Sequence, residues 1–490
     1  MTSLRGPLPG APAAGTPPRE SADGPSLDGS RRRRLRAAVV WLPALAALAI
    51  GGWGITVPSL WRDESVSAVV ARSPLSYMRQ LMGEIDAVHA LYYLLLRPFA
   101  AFGGSEFLLR LPSLIAFVAT AYGIAVLGRR LVGPMAGLYG GLLYALLPMA
   151  SRYAQEVRSY AIVSFVAVLA TWLLLNALDS PSRWRYVAYA ASVAVLGWFH
   201  LYALLLVGVH AVAVWTARPR RILPWVLAVA GAGIILLPLV AVASGQRDTQ
   251  LFWLHPPGFE DLTAFLEEIA GNAAAAVVLL ALAACGVWWS RRTPIVALWA
   301  FAPILASFLI SQVYPVYDPR YVLFVVPAIA LLAGIGVHAV TTSLRGHIAV
   351  PIIAFALVGA LTFSAHVAIR QPASRPDDLR SLSAVLGAEQ RPGDGVLYVP
   401  QRYRLFVSVY GEPFQKLTDL TNAPGTYEPR TAAQLTAAAA GLDRVWLVAP
   451  PVTPRNIGDP RFVELRRTFN LVSSRSFGYT RLALYVRKGR

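Results

Sequence analysis

The sequence predicts an α-helical polytopic membrane protein of about eleven transmembrane helices with a small C-terminal α/β domain outside the membrane. Three observations predict it. Of the 490 residues 56% are hydrophobic and only 14% charged, with a mean hydropathy of +0.52, which is too apolar for a soluble chain of this length. The apolar residues fall in runs of roughly 20, the length that crosses a hydrocarbon core. The 44 Lys and Arg stand mostly in short clusters between those runs, as in the cytoplasmic loops of membrane proteins. A net charge of +18 would suggest nucleic acid on a soluble chain, but this distribution sets nucleic acid aside.

Residues 1–34 are rich in Pro, Gly, Ala and Ser and end in Arg31-Arg32-Arg33-Arg34, so they read as a disordered cytoplasmic tail. The apolar run 37–60 starts too late and runs too long for a signal peptide, and the basic block before it marks its cytoplasmic end. Residues 61–107 carry charges every few positions and read as a large first outer loop. Within it, 65–81 suits a helix lying in the interface, and 90–102, interrupted by Arg97-Pro98, a re-entrant or surface helix. Further spans read as 108–128, 133–150, 159–178, 186–202, 203–217, 222–243, 271–290, 295–312, 321–342 and 348–368. The transmembrane domain is thus 35–370.

That count places Arg129-Arg130, Arg183 with Arg185, Arg218 with Arg220-Arg221, Arg291-Arg292 and Arg345 all on the cytoplasmic side. Treating 90–102 as a span would flip every one of them outward. Of the 13 carboxylates between residues 37 and 370, only Asp179 then faces inward, which points to the outer face as the working face. The single Cys285 lies in an apolar run and offers neither an intramolecular disulfide nor a cysteine metal site. Residues 371–490 read as an extracytoplasmic α/β domain, with helices at 377–390 and 431–440, strands at 395–400, 444–449 and 481–487, and irregular chain over 400–431.

Polar groups gather where the outer span ends fall. Asp63-Glu64 follows the first span, with Asp86 and His89 later in the same loop. Gln155-Glu156-Val157-Arg158, His200 and Asp318-Pro319-Arg320-Tyr321 mark three other ends. Each has a plainer reading: Asp63 as a cap of the next helix, Asp318-Pro319 as an N-cap and first-turn proline, His200 as a satisfied interfacial histidine. Arg158 and Arg320 stand at the starts of helices whose positive ends point outward, which costs a few tenths of a kcal/mol or more unless an anion is bound. Near a bilayer the obvious anion is a lipid phosphate.

The order of Arg62-Asp63-Glu64, Leu91-Tyr92-Tyr93 through Arg97, Leu109-Arg110-Leu111-Pro112-Ser113, Gly128-Arg129-Arg130-Leu131-Val132-Gly133, Gln155 to Tyr160, and Arg320-Tyr321 resembles the GT-C superfamily of integral-membrane glycosyltransferases. It is most similar to the branch of protein O-mannosyltransferases and aminoarabinose transferases, in their actinobacterial form, over residues 35–370. Many relatives carry His-Pro-Pro before the Leu-Tyr pair, where this chain has Val88-His89-Ala90. The resemblance implies transfer of a sugar, mannose or another hexose or pentose, from a polyprenyl-phosphate carrier to a glycan, lipid or protein acceptor on the outer face, with the base in the Asp63-Glu64 pair.

Polyprenyl phosphate leaves readily without a protonating acid, so one carboxylate base and cations for the departing phosphate suffice. Asp63 is then the base, attack inverts the anomeric centre, and Arg158 and Arg320 hold phosphate. Glu64, Asp86, His89 and Glu156 position donor or acceptor, or hold a divalent metal through oxygen and imidazole ligands. Gln155, His200 and Tyr321 complete the substrate-binding set. The alternative reading is a transporter or flippase of a lipid-linked substrate, which would place ionisable groups near span centres.

Overall fold

The computed structural model describes residues 27–250, 254–289, 294–423, 428–453 and 457–489. The tail expected over 1–34 lies outside the described residues up to residue 26, and from Leu27 the chain is already helical. Arg291-Arg292 likewise falls outside them.

Helix α1 (Leu27–Gly52) ends just before Gly54, which turns the chain at φ +64°. The first loop holds α2 (Arg62–Arg72), α3 (Leu75–Glu84) and α4 (Ala90–Ala101). The single interfacial helix expected over 65–81 is therefore two. Pro74 drives the residue before it out of the helical region, so Ser73 is extended (ψ 158°) and stops α2. Nor does α2 lie on a surface: Glu64, Ser65, Ser67, Ala68, Val70 and Ala71 are all buried.

The bundle follows as α5 (Glu106–Leu131), α6 (Pro134–Leu146), α7 (Pro148–Ala154), α8 (Tyr160–Asp179), α9 (Arg183–Phe199), α10 (Leu205–Ala217) and α11 (Ile222–Gln250). It continues with α12 (Phe259–Ala270), α13 (Ala273–Trp289), α14 (Pro294–Ser311), α15 (Val326–Ser343) and α16 (Ala349–Ala368). Each of the eleven predicted stretches holds a helix, and 133–150 is broken where Pro148 starts α7. Among the described residues, length and apolarity license six crossings, or seven with the α12–α13 pair, which bends by 88°. Val39–Gly52 and Leu201–Ala217 are shorter apolar helices.

The core is α15 with the 3₁₀ turn Pro319–Val325 that leads into it, 94% buried over its apolar window, against 22% for the windows of α11 and α16. Backbone packs on backbone there. A Cβ on Gly336 would stand 1.8 Å from the Leu282 carbonyl oxygen of α13, and one on Gly334 2.1 Å from the Gly140 nitrogen of α6. Small residues let helices approach closely in lipid, where no hydrophobic effect drives them together.

The chain then forms α17 (Leu379–Glu389), β1 (Gly395–Tyr398), α18 (Tyr403–Val407), β2 (Thr418–Asp419), α19 (Ala432–Ala438), β3 (Arg444–Ala449), α20 (Pro460–Thr468), β4 (Phe469–Phe477) and β5 (Thr480–Arg487). The sheet order is β2-β1-β3-β5-β4. β1 is parallel to both β2 and β3, and the β4–β5 hairpin is antiparallel. Trp446, Val448 and Leu482 face α17 on one side, while Val445, Leu447 and Tyr485 pack with α19 and α20 on the other. This region clasps the first loop. Arg62 Nε lies 2.7 Å from Asp377, the Ser65 hydroxyl donates to the Phe406 carbonyl at 2.6 Å, and Arg380 pairs with Glu106.

Candidate active site

Helix α2 begins at Arg62, so Asp63 and Glu64 occupy its first turn, where carboxylates favour the exposed amides. Consecutive helical residues point about 100° apart, and these two go opposite ways. Glu64 turns inward and is fully buried. Its carboxylate accepts two hydrogen bonds from Arg110, both at 3.0 Å, and one from the Val157 amide at 2.9 Å. Arg110, also sealed, donates its remaining protons to the carbonyls of Ile55, Pro58 and Ser59. Glu64 has no capacity left for substrate or metal; it is a structural tie between α2, α5 and the 155–158 loop.

Asp63 turns toward the mouth of the bundle and keeps 27% of its side-chain surface. Its Oδ2 lies 3.4 Å from Arg320 Nη1 and 3.5 Å from Arg158 Nη2. Arg320 also chelates Asp318, with Nε at 2.9 Å from Oδ1, while Asp318 Oδ1 accepts the Arg320 amide at 3.0 Å. The two arginines are therefore not unpaired cations awaiting a lipid phosphate. Carboxylates of the chain itself already balance them, and Asp318 is the cap of its turn, as the plainer reading of Asp318-Pro319 had it.

The remaining candidates divide. His89 and His200 approach Arg158 from the turn that precedes α4 and from the α9–α10 connection, and both rings pack on tyrosines: His89 on Tyr93, His200 on Tyr160 and Tyr321 at 6.0 and 5.1 Å. Among the described residues, Nδ1 of each histidine and Nε of Arg158 are buried with no hydrogen-bond partner. His200 is thus not a satisfied interfacial histidine. Burial first, then Arg158, pushes the His89 imidazole well below its ordinary value. Asp86 sits in the left-handed region (φ 67°), where its carboxylate accepts from Tyr93 at 3.1 Å. Burial raises its pKa and Arg158 opposes the rise.

Gln155 and Glu156 lie deeper. The Gln155 amide donates to the carbonyls of Gly51 and Trp53 and so braces the end of α1. Glu156 is 1% exposed and neither carboxyl oxygen has a partner among the described residues. Its pKa is raised by burial against the pull of Arg152. Sequence reasoning missed Arg110 as the partner of Glu64, although it stands in the Leu-Arg-Leu-Pro run. Arg152 and Glu268 it passed over entirely; no sequence signal places them together. No group of three or more His, Cys, Asp or Glu among the described residues is arranged to hold a metal ion.

Residues 89–244 match the family model of dolichyl-phosphate-mannose-protein mannosyltransferases. ArnT from Cupriavidus metallidurans in the apo state superposes with a TM-score of 0.61 at 15% identity, over 93% of this chain and 98% of that one. The archaeal oligosaccharyltransferase AglB from Archaeoglobus fulgidus, in complex with an inhibitory peptide and a dolichol-phosphate, gives 0.55 at 10% identity, over 86% and 70%. No curated protein sequence matches significantly. The fold is shared with these two structures, and residues 89–244, under half of the chain, carry the mannosyltransferase family match.

Proposed function

We propose that this enzyme moves a hexose or pentose, mannose foremost, from a polyprenyl-phosphate carrier to an acceptor hydroxyl on the outer face of the membrane, with inversion and with Asp63 as the base. The observation that carries the reading is the Asp63 carboxylate, partly open at the mouth of the bundle and held between Arg158 and Arg320. Two guanidiniums converging on one carboxylate oxygen form a site for an anion, and a carrier phosphate satisfies both forks better than one aspartate does.

The resting contacts suggest an order of events. Arriving phosphate takes over the two arginines, and the Asp63 carboxylate, released from them, becomes more basic as the acceptor hydroxyl comes within reach. The hydroxyl oxygen attacks the anomeric carbon, the C–O bond to phosphate breaks, the phosphate keeps the electron pair and Asp63 keeps the proton. His89 and His200, with unpartnered ring nitrogens beside Arg158, supply further hydrogen bonds to the phosphate or to the sugar it carries. The candidate charged groups Asp63, Arg158 and Arg320 meet at one end of the helices rather than near span centres, which favours transfer over transport.

The N-terminus and arginine clusters then lie in the cytoplasm and residues 371–490 outside. Purified enzyme given polyprenyl-phosphate mannose should release polyprenyl phosphate in the presence of an acceptor. Asp63→Asn should not. Equal release by both enzymes would rule out Asp63 as the base.

A further inference from the structure

A cleft of about 370 Å³ opens between α7, the α12–α13 bend and the end of α16. Its size is in the range of small-ligand sites. One wall is apolar, from Pro148, Met149, Ala368 and Ile369; the other is polar, from Arg152 and Glu268, with the exposed Glu267 at its edge. Arg152 Nη1 lies 4.0 Å from Glu268 Oε1, too far for a tight pair. Arg152 Nε is buried with no partner among the described residues, and directly behind it Glu156 is sealed with both oxygens unpartnered. Among the described residues, no hydrogen bond accounts for the burial of Arg152 Nε or of the Glu156 carboxyl. Gly271 makes the bend with φ +88°, and Asn272, its amide donating to the Leu361 carbonyl, fixes the bend against α16.

We propose that this cleft is the acceptor subsite and that the acceptor is a neutral saccharide. The inference rests on the reading of the chain as a glycosyltransferase working at Asp63. A pyranose carries a hydroxyl rim and a C–H face on different sides, which is the division of these two walls. Glu268 accepts from hydroxyls and Arg152 donates to them, side by side. Two carboxylates against one guanidinium disfavour an anionic headgroup, and no sheet edge borders the cleft to pair with a peptide backbone. The cleft and the Asp63 site share one stretch of chain: α7, which carries Arg152, leads directly into the 155–158 loop and Arg158, and Tyr153 packs edge-on against Tyr160 at 5.3 Å, which in turn faces His200. A saccharide seated beside Arg152 extends along this path toward the base.

The test uses the full chain in nanodiscs and methyl α-mannobioside as probe, with binding read by saturation-transfer NMR. Ala368→Phe fills the cleft from its exposed apolar wall without touching a hydrogen bond, and Glu268→Gln removes the charged acceptor. Each should weaken the disaccharide by about tenfold or more, as expected for one lost charge-assisted hydrogen bond or lost space. Arg129→Lys, in the last turn of α5, should bind it as the wild type does. A wild type that does not bind the disaccharide, an Ala368→Phe protein that binds it equally well, or displacement of it by a Ser/Thr peptide overturns the proposal. Transfer that persists with an undisturbed Ala368→Phe acceptor KM refutes the cleft alone, whereas saccharide binding without any transfer from the donor refutes the glycosyltransfer reading alone.

Discussion

Asp63→Asn separates two properties that the site couples. In the resting structure the Asp63 carboxylate occupies the two guanidiniums proposed to take the donor phosphate, at 3.4 and 3.5 Å. At an effective dielectric near 20 each such pair amounts to about 4 kcal/mol of Coulomb energy as an upper bound, and solvent screening at a partly open site brings the net closer to 1 kcal/mol. The neutral amide therefore frees the arginines and should tighten donor binding by about fivefold, since about 1 kcal/mol corresponds to that change in Kd. Turnover should move the other way, falling by about two to four orders of magnitude with loss of the general base. Both quantities come from one preparation in nanodiscs, by binding of polyprenyl-phosphate mannose and by release of polyprenyl phosphate, with Arg129→Lys as the control. An Asp63→Asn enzyme that keeps turnover within about threefold of the wild type refutes the base, and one that binds donor more weakly refutes the exchange of anions.

Four further outcomes follow from named contacts. Glu64→Gln leaves Arg110 charged and sealed, so it should destabilise the fold by about 3–5 kcal/mol, seen as a lowered thermal midpoint; replacing Glu64 and Arg110 together by Leu and Met should recover part of the loss. Arg158→Lys keeps the charge and loses the fork, and should weaken donor binding by about 1–3 kcal/mol, while an unchanged affinity would make Arg158 a packing residue. Burial holds the Glu156 carboxyl above its ordinary value of 4.5, so the folded state binds the extra proton and stability declines as pH rises above that value. Glu156→Gln should flatten that decline in melting curves taken across the pH range. Reporters fused after Arg130 and Arg221 should read cytoplasmic and those after Glu106 and residue 400 external, and an external reading after Arg130 would reverse the whole orientation.

Where the sequence was legible, one local rule was enough. Apolar length marked a helix in each of the eleven predicted stretches but not α12, whose Glu260, Asp261, Glu267 and Glu268 break its apolar run, and buried runs such as 444–449 marked the central strands, because burial on both faces leaves a continuous hydrophobic signal. β4 was invisible for the converse reason: as an edge strand it is mostly exposed, and its Asn470 to Ser476 stretch carries little apolar alternation. The breaks at Pro74 and Pro148 were written in the sequence and went unread as helix boundaries. At the site, residue type identified the groups but not their partners. Nothing local says that Glu64 will meet Arg110 across 46 residues, or Arg320 meet Asp63 across 257, and the roles of all four follow from those meetings.

The adjacent acids at the head of α2 explain why such a site tolerates so much buried charge. The tie from Glu64 to Arg110 and the Val157 amide fixes the 155–158 loop against α2, and that loop carries Arg158. The same helical turn that buries Glu64 sends Asp63 toward the mouth, so one short segment sets both the proposed base and the distance to the cation facing it. A buried ion pair contributes little net stability compared with apolar packing of the same volume, but it permits few alternative arrangements. In a lipid-facing bundle, where packing alone orients helices only loosely, that restriction is what holds the Asp63 carboxylate within 3.5 Å of both arginines before any substrate arrives.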